Sequence, residues 1–173
     1  SDLDVDPSDL KRIETLLFRY TSVSPRAPYI YFANSQGGFI GVNRTLGSVP
    51  LVLEQKPGEP QRRTWKANNP GEREASPLGG AQVYDSTLRP WYKIAEAADG
   101  PTWTPVYSSA RTGIGVLTMT IPIRQEGKGL RGVLAMNLPL NHVERLLMDL
   151  NLGPQARVFV LERDGGFVGG IVN

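Results

Sequence analysis

Residues 117–138 read LTMTIPIRQEGKGLRGVLAMNL, and their pattern decides the fold class. Leu117, Met119, Ile121 and Ile123 alternate with Thr118, Thr120 and Arg124, the two-residue period of a half-buried strand. Gln125-Glu126-Gly127-Lys128-Gly129 supplies a turn, and Gly132-Val133-Leu134-Ala135-Met136-Asn137-Leu138 reads as the partner strand. So short a connection makes the pair antiparallel. Pro122 removes one donor from the ladder and predicts an edge or bulge there.

Working outward, Trp103 to Ser109 reads as extended, with Trp103, Tyr107 and Ser109 on one face and Thr104, Val106 and Ser108 on the other. Residues 102–138 then form a three-stranded meander. Trp91 to Ala98 is helix-forming and stops at Asp99-Gly100-Pro101, while Pro139 opens a helix with Leu140, Val143, Leu146, Leu147 and Leu150 on one face, closed by Gly153-Pro154. At the other end, Asp6-Pro7-Ser8 reads as a helix opening, with Asp9 in the first turn. Leu10, Ile13, Leu16, Leu17 and Tyr20 follow at helical spacing, Lys11, Arg12 and Glu14 lie off that face, and Ser24-Pro25 ends the helix.

Residues 29–33 and 39–42 flank Asn34-Ser35-Gln36-Gly37-Gly38 as a hairpin, and 51–53 and 63–66 read as two further strands. Asn68 to Gly80 is long for a connection and reads either as a binding-loop lid or as a solvated excursion. Residues 157–161, 163–166 and 167–168 repeat the strand, glycine turn, strand pattern of 29–42. The ending at Gly170-Ile171-Val172-Asn173 falls inside that new hairpin, where a natural domain seldom stops. Helices inserted among mainly antiparallel strands make an α+β domain.

With 173 residues, 40% hydrophobic and 21% charged, the chain has the composition of one folded domain. A net charge of +2 offers no strong field for nucleic acid or an anionic membrane. The absence of cysteine excludes disulfides, thiolate metal sites and thiol nucleophiles. No apolar run reaches the length of a membrane span.

The chemistry gathers in Tyr84-Asp85-Ser86-Thr87-Leu88-Arg89-Pro90-Trp91-Tyr92. Arginine presents a planar fork of donors that matches a carboxylate, and Arg89 precedes a helix whose first N–H groups favour an anion. Tyr84, Tyr92 and Tyr107 add neutral donors, and Trp91 and Trp103 are rigid apolar walls. The competing reading pairs Arg89 with Asp85 and leaves the rings as core.

Arg89-Pro90-Trp91-Tyr92, Trp103 through Tyr107, Ile121-Pro122-Ile123 and residues 132–140 together resemble the double Cache sensors, the extracytoplasmic regions of bacterial chemoreceptors, histidine kinases and nucleotide cyclases. The resemblance implies a PAS-like antiparallel sheet of five or six strands, flanking helices and a long N-terminal helix. It implies a helix over 1–26, a membrane-distal ligand-binding subdomain over 27–150, and at 151–173 the start of a small or truncated membrane-proximal one. It further implies a periplasmic or extracellular domain of a cell-membrane protein, joined to the membrane through segments outside this chain. The first helix packs either on the body of the domain or, in a homodimer, on a second copy of itself.

In relatives that bind amino acids, Tyr84, Arg89, Trp91 and Tyr92 match positions that hold the ligand carboxylate, and Tyr107 matches a further tyrosine on the tryptophan strand. Ser109 and Asn137 stand where those relatives have aspartates for the ammonium, so this site keeps its anion half and loses its cation half. A buried ammonium without a carboxylate costs several kcal/mol, so a short organic acid is favoured over a plain amino acid unless Asp85 or the 68–80 loop substitutes. The alternative is an interaction and dimerisation module with a vestigial pocket.

No nucleophile elbow, phosphate loop or metal motif is present, so neither an enzyme nor a cofactor is expected. His142 lies off the apolar stripe of its helix and reads as solvated. Arg62-Arg63-Thr64-Trp65-Lys66 mixes basic and aromatic residues, and reads as a solvated hairpin flank, not a nucleic-acid surface.

Overall fold

The computed structural model describes residues 5–24, 27–45, 47–150, 152–153 and 155–172. Pro25 and Pro154, two expected helix stops, lie outside these residues, as does the side chain of Leu146.

Helix α1 spans Leu10–Val23 and is capped by Asp9, which accepts from the Arg12 amide. The cap therefore falls three residues later than expected, because Asp6 is engaged in a preceding turn by the Ser8 amide at 2.9 Å. The buried face runs through Leu10, Ile13, Glu14, Leu17, Phe18 and Thr21, whereas Tyr20 is exposed. Glu14, expected in solvent, lies on this inner face.

The sheet has six long strands: β1 (Tyr29–Asn34), β2 (Phe39–Asn43), β3 (Leu51–Gln55), β4 (Gln61–Asn69), β9 (Gly115–Gln125) and β10 (Gly129–Pro139). These form the expected antiparallel body in the order β4-β3-β2-β1-β10-β9. Four two-residue strands extend its margins: β5 (Glu72–Arg73) and β6 (Gln82–Val83) on β4, and β7 (Thr102–Trp103) and β8 (Tyr107–Ser108) on β9. The central strand β1 pairs with β2 on one side and with β10 on the other, bringing Tyr31 opposite both Gly41 and Ala135. β7 reaches β9 only at Met119 and Thr120, so Pro122 sits on an edge segment and its missing donor disrupts no outer ladder.

Because side chains alternate along a strand, the sheet builds two separate cores. On one face Phe32, Ile40, Val42 and Val52 pack with Leu10, Ile13, Leu17 and Phe18 of α1. On the other, Tyr31, Phe39, Leu53 and Val133 pack with Trp91, Tyr92 and Ala95 of α2 (Pro90–Ala97). Each large side chain fully removed from water contributes about 1.5–3 kcal/mol. On β9 it is the threonine row, Thr118 and Thr120, that is fully buried, while Met119 and Ile121 are half-buried. The cause is tertiary: α2 covers the threonine side, and α1 lies over β1 and β2 instead.

Helix α3 (Leu140–Met148) follows β10 directly, with Leu150, expected on its apolar stripe, exposed beyond its end. Strands β11 (Arg157–Leu161) and β12 (Phe167–Val172) form a separate antiparallel hairpin. Val168 packs with Val143 and Leu147 of α3, and the Glu162 carboxylate accepts from the Val106 amide at 2.8 Å.

Candidate ligand-binding site

On the α2 face of the sheet, one polar cavity of about 30 Å³ is lined by Tyr29, Tyr31, Arg62, Tyr84, Arg89, Trp91, Tyr107, Ser109, Ala110, Arg111 and Asn137. That space holds about two water molecules as the side chains stand. Six of the seven expected residues meet there: Tyr84, Arg89, Trp91, Tyr107, Ser109 and Asn137. Tyr92 does not. It is buried in the core with its ring 5.5 Å from that of Trp91, because consecutive helical residues point about 100° apart. Trp103 also lies elsewhere, half-exposed beside the β11–β12 hairpin. The chain breaks between β7 and β8 at 104–106, so the strict alternation expected over 103–109 does not hold.

Local sequence positions Arg89. The following Pro90 disfavours helical backbone at Arg89, which is extended at φ −83°, ψ 147° while Pro90 opens α2. Its Nη2 donates to the Ser108 carbonyl at 3.0 Å. Asp85 is occupied differently, accepting from the Thr87 amide at 2.9 Å and the Thr87 hydroxyl at 2.7 Å as the cap of the 86–88 turn. It makes no ion pair with Arg89 and does not line the cavity.

Asn137 is held by hydroxyls. Its Oδ1 accepts from Tyr31 Oη at 2.6 Å and from Thr118 Oγ1 at 2.9 Å. Thr118 has one proton and donates it to Asn137, so Tyr107 is the donor in its 2.7 Å bond to Thr118. The amide nitrogen of Asn137 is thus left as the group that can face a ligand, and it is a donor. Burial raises the hydroxyl pKa of Tyr29, Tyr31 and Tyr107 above the ordinary value, so all three are neutral near pH 7.

Five cavity residues, Tyr29, Tyr31, Arg62, Ala110 and Arg111, escape a reading of sequence alone, and two of them are charged. Arg62, expected in solvent, is 5% exposed; its guanidinium lies 3.7 Å from the Tyr84 ring centroid and donates to Gln82 at 3.0 Å. The β3–β4 register places Thr64 opposite Leu53, which turns Arg62, two residues earlier, onto the cavity face. The rest of that basic run is divided: Arg63 pairs with Glu59 at 3.3 Å and Lys66 with Glu74 at 3.8 Å. Arg111, in the loop after β8, has a buried Nη1 with no hydrogen-bond partner. Burial lowers its pKa, with Tyr29 opposing and Arg62 reinforcing the shift. No motif marks it. Among the described residues, three guanidinium groups therefore line the cavity and no carboxylate does.

None of residues 68–80 lines the cavity. Arg73 of this loop reaches the opposite face of the sheet, where it pairs with Glu14 of α1 and with Glu54 at 2.6 Å. His142 is half-buried, not solvated: it lines a second cavity of about 140 Å³ with Arg145 and Arg111. Burial, then the charge of Arg145, lowers its pKa. Among the described residues no group of three acidic or histidine side chains is arranged to hold a metal, and no helix is long and apolar enough to cross a membrane.

Residues 64–145 match the family model of the methyl-accepting chemotaxis protein-like first PDC sensor domain. Over these residues the chain is similar to a Cache-type, or PDC, sensor domain. Over 82 residues, 47% of the chain, it is 30% identical to the methyl-accepting chemotaxis protein PscA of Pseudomonas syringae pv. tomato and 32% identical to McpA of Bacillus subtilis. Those matches cover only 13% and 12% of the two relatives. Its fold is similar to the ligand-binding domain of the Campylobacter jejuni chemoreceptor Tlp3 in complex with 4-methylisoleucine, with a TM-score of 0.61 at 15% identity over 98% of this chain and 53% of that one. It is likewise similar to the domain of Pseudomonas fluorescens CtaA in complex with L-isoleucine, with a TM-score of 0.58 at 18% identity over 97% and 57% of the two chains.

Proposed function

We propose that this Cache domain senses a small carboxylate without an ammonium group, a short organic acid in preference to a plain amino acid, and binds it without turning it over. The observation that carries this reading is the cavity lining: Arg62, Arg89 and Arg111 converge, and no acidic side chain lines the cavity. An anion there gains charge-assisted hydrogen bonds from planar donors, whereas an ammonium meets three like charges and the donor end of Asn137. The structural neighbours in complex with 4-methylisoleucine and L-isoleucine make the amino acid the reading to beat.

In this proposal the domain lies outside the cytoplasm as part of a membrane signalling protein, as the chemotaxis-protein names of its relatives suggest. Residues 27–150 hold the ligand, and the β11–β12 hairpin begins a second subdomain. Tyr31 faces the cavity while its neighbour Phe32 packs into the α1 core, so a ligand-driven movement of β1 reaches α1 through one strand. Its extent is bounded by the ligand's differential affinity for the two states.

Calorimetry with paired acids and amino acids, propanoate against alanine and butanoate against 2-aminobutanoate, tests the ligand class. Tighter binding of the amino acids refutes it. Replacement Arg89→Ala should remove the thermal stabilisation that a bound acid confers while leaving the unliganded melt in place; an undiminished ligand shift refutes the anchoring role.

A second reading has its own support. Leu16 and Tyr20 of α1, with Ile121, Ile123 and Met136 of the sheet, line an apolar groove of about 390 Å³, consistent with a homodimer through α1. Sedimentation equilibrium of wild type and Leu16→Glu tests it, and a concentration-independent monomer ends that reading.

A further inference from the structure

The two cavities share a wall. Tyr29, Ser109, Arg111 and Asn137 line both the compartment at Arg89 and the larger one at His142 and Arg145. Neither compartment is lined by an aspartate or glutamate. Arg111 stands between them with a buried Nη1 that no protein group satisfies, a costly state for a donor of a charged side chain. The larger compartment adds the cationic Arg145 and the imidazole of His142, two groups that favour a second anion.

We propose that the ligand is a dianion, a linear dicarboxylate whose first carboxylate sits at Arg89 and Arg62 and whose second sits beyond Asn137, between Arg111 and Arg145. The proposal rests on the carboxylate-sensing reading and names the class within it. A second carboxylate satisfies the orphaned Arg111 donor and places negative charge where only positive charge lines the wall. A monocarboxylate of the same length leaves that charge uncompensated and sets a methyl group among polar donors. Arg111 thereby becomes the residue that distinguishes two-headed from one-headed acids.

The test is calorimetry on the chain at about pH 8, where both carboxylates are ionised, with butanedioate, pentanedioate and hexanedioate against butanoate, pentanoate and hexanoate. The best diacid is expected to bind at least about tenfold more tightly than its monoacid. Arg111→Gln should bring that ratio down to about one, and Arg89→Ala should weaken both classes. Arg145→Gln, at a surface position on α3, should lower the ratio about threefold and keeps the test open if the Arg111 variant does not fold. Equal binding of mono- and diacids, or an unchanged ratio in the variants, overturns the dianion proposal and leaves the carboxylate sensor standing. If no acid of either kind binds, both fall.

Discussion

The Tyr31 hydroxyl donates to the Asn137 side-chain oxygen at 2.6 Å, joining the central strand to the β10 residue at which the resemblance implies an aspartate. With Thr118 donating to the same oxygen at 2.9 Å, the amide is oriented from behind, its acceptor used and its donor left for the cavity. An aspartate at this position would accept the same two hydroxyls and still carry its charge to the ligand. On the proposed reading, one atom therefore separates a site for acids from a site for zwitterions.

Asn137→Asp should reverse the ligand class. Tyr31 and Thr118 continue to donate, so the fold is retained, while the new charge opposes a bound carboxylate and attracts an ammonium. Affinity for an organic acid is expected to fall about tenfold and that for an α-amino acid to rise by a similar factor, about 1.4 kcal/mol each way. Calorimetry with propanoate and alanine reads both changes, and an unaltered preference would count against the assignment of Asn137.

Gly41 makes room for the tyrosines. A Cβ there would lie 2.8 Å from Tyr31 Cβ and 3.1 Å from Tyr29 Cε2, directly opposite Tyr31 in the β1–β2 pairing. Gly41→Ala should destabilise the domain by about 1–3 kcal/mol, read from the urea midpoint. Ligand affinity should fall with it, since both displaced rings line the cavity.

Arg73 ties the 68–80 loop to α1 and β3, away from the cavity. Its removal leaves Glu14, whose side chain is 3% exposed, with only the Gly71 amide as a partner at 3.1 Å. Arg73→Ala is therefore expected to cost roughly 3 kcal/mol in chemical denaturation while ligand affinity changes by less than about twofold, as additivity of distant sites requires. A large loss of affinity would restore the loop to the site.

His142 couples stability to pH. Its folded pKa is lowered from 6.5 by burial and then by Arg145, so on acidification the unfolded chain takes up this proton first. The contribution is fully present above pH 6.5 and is lost as pH falls through the folded pKa. His142→Gln should flatten the stability profile in that window relative to wild type, measured by urea unfolding from pH 7.5 down to about 5; coincident profiles would show that the imidazole titrates as in the unfolded chain.

The long strands, the helices and the grouping of Tyr84, Arg89 and Trp91 are legible in the sequence. Strict alternation at 117–123, glycine turns at 34–38 and 125–129, and proline at the start of α2 and just before α3 are local signals, each encoded within a few residues. Tyr84, Arg89 and Trp91 share one segment whose backbone is set by Pro90, so spacing alone places them together. Which face each strand turns inward was set instead by packing between distant elements. The β3–β4 register turned Arg62 from solvent into the cavity, α2 rather than α1 came to cover the threonine row of β9, and Arg73 carried the long loop to the far side of the sheet. Burial on a strand depends on what packs against it, and no local pattern records the partner. Arg111, on an unmarked loop between two cavities, shows this most clearly.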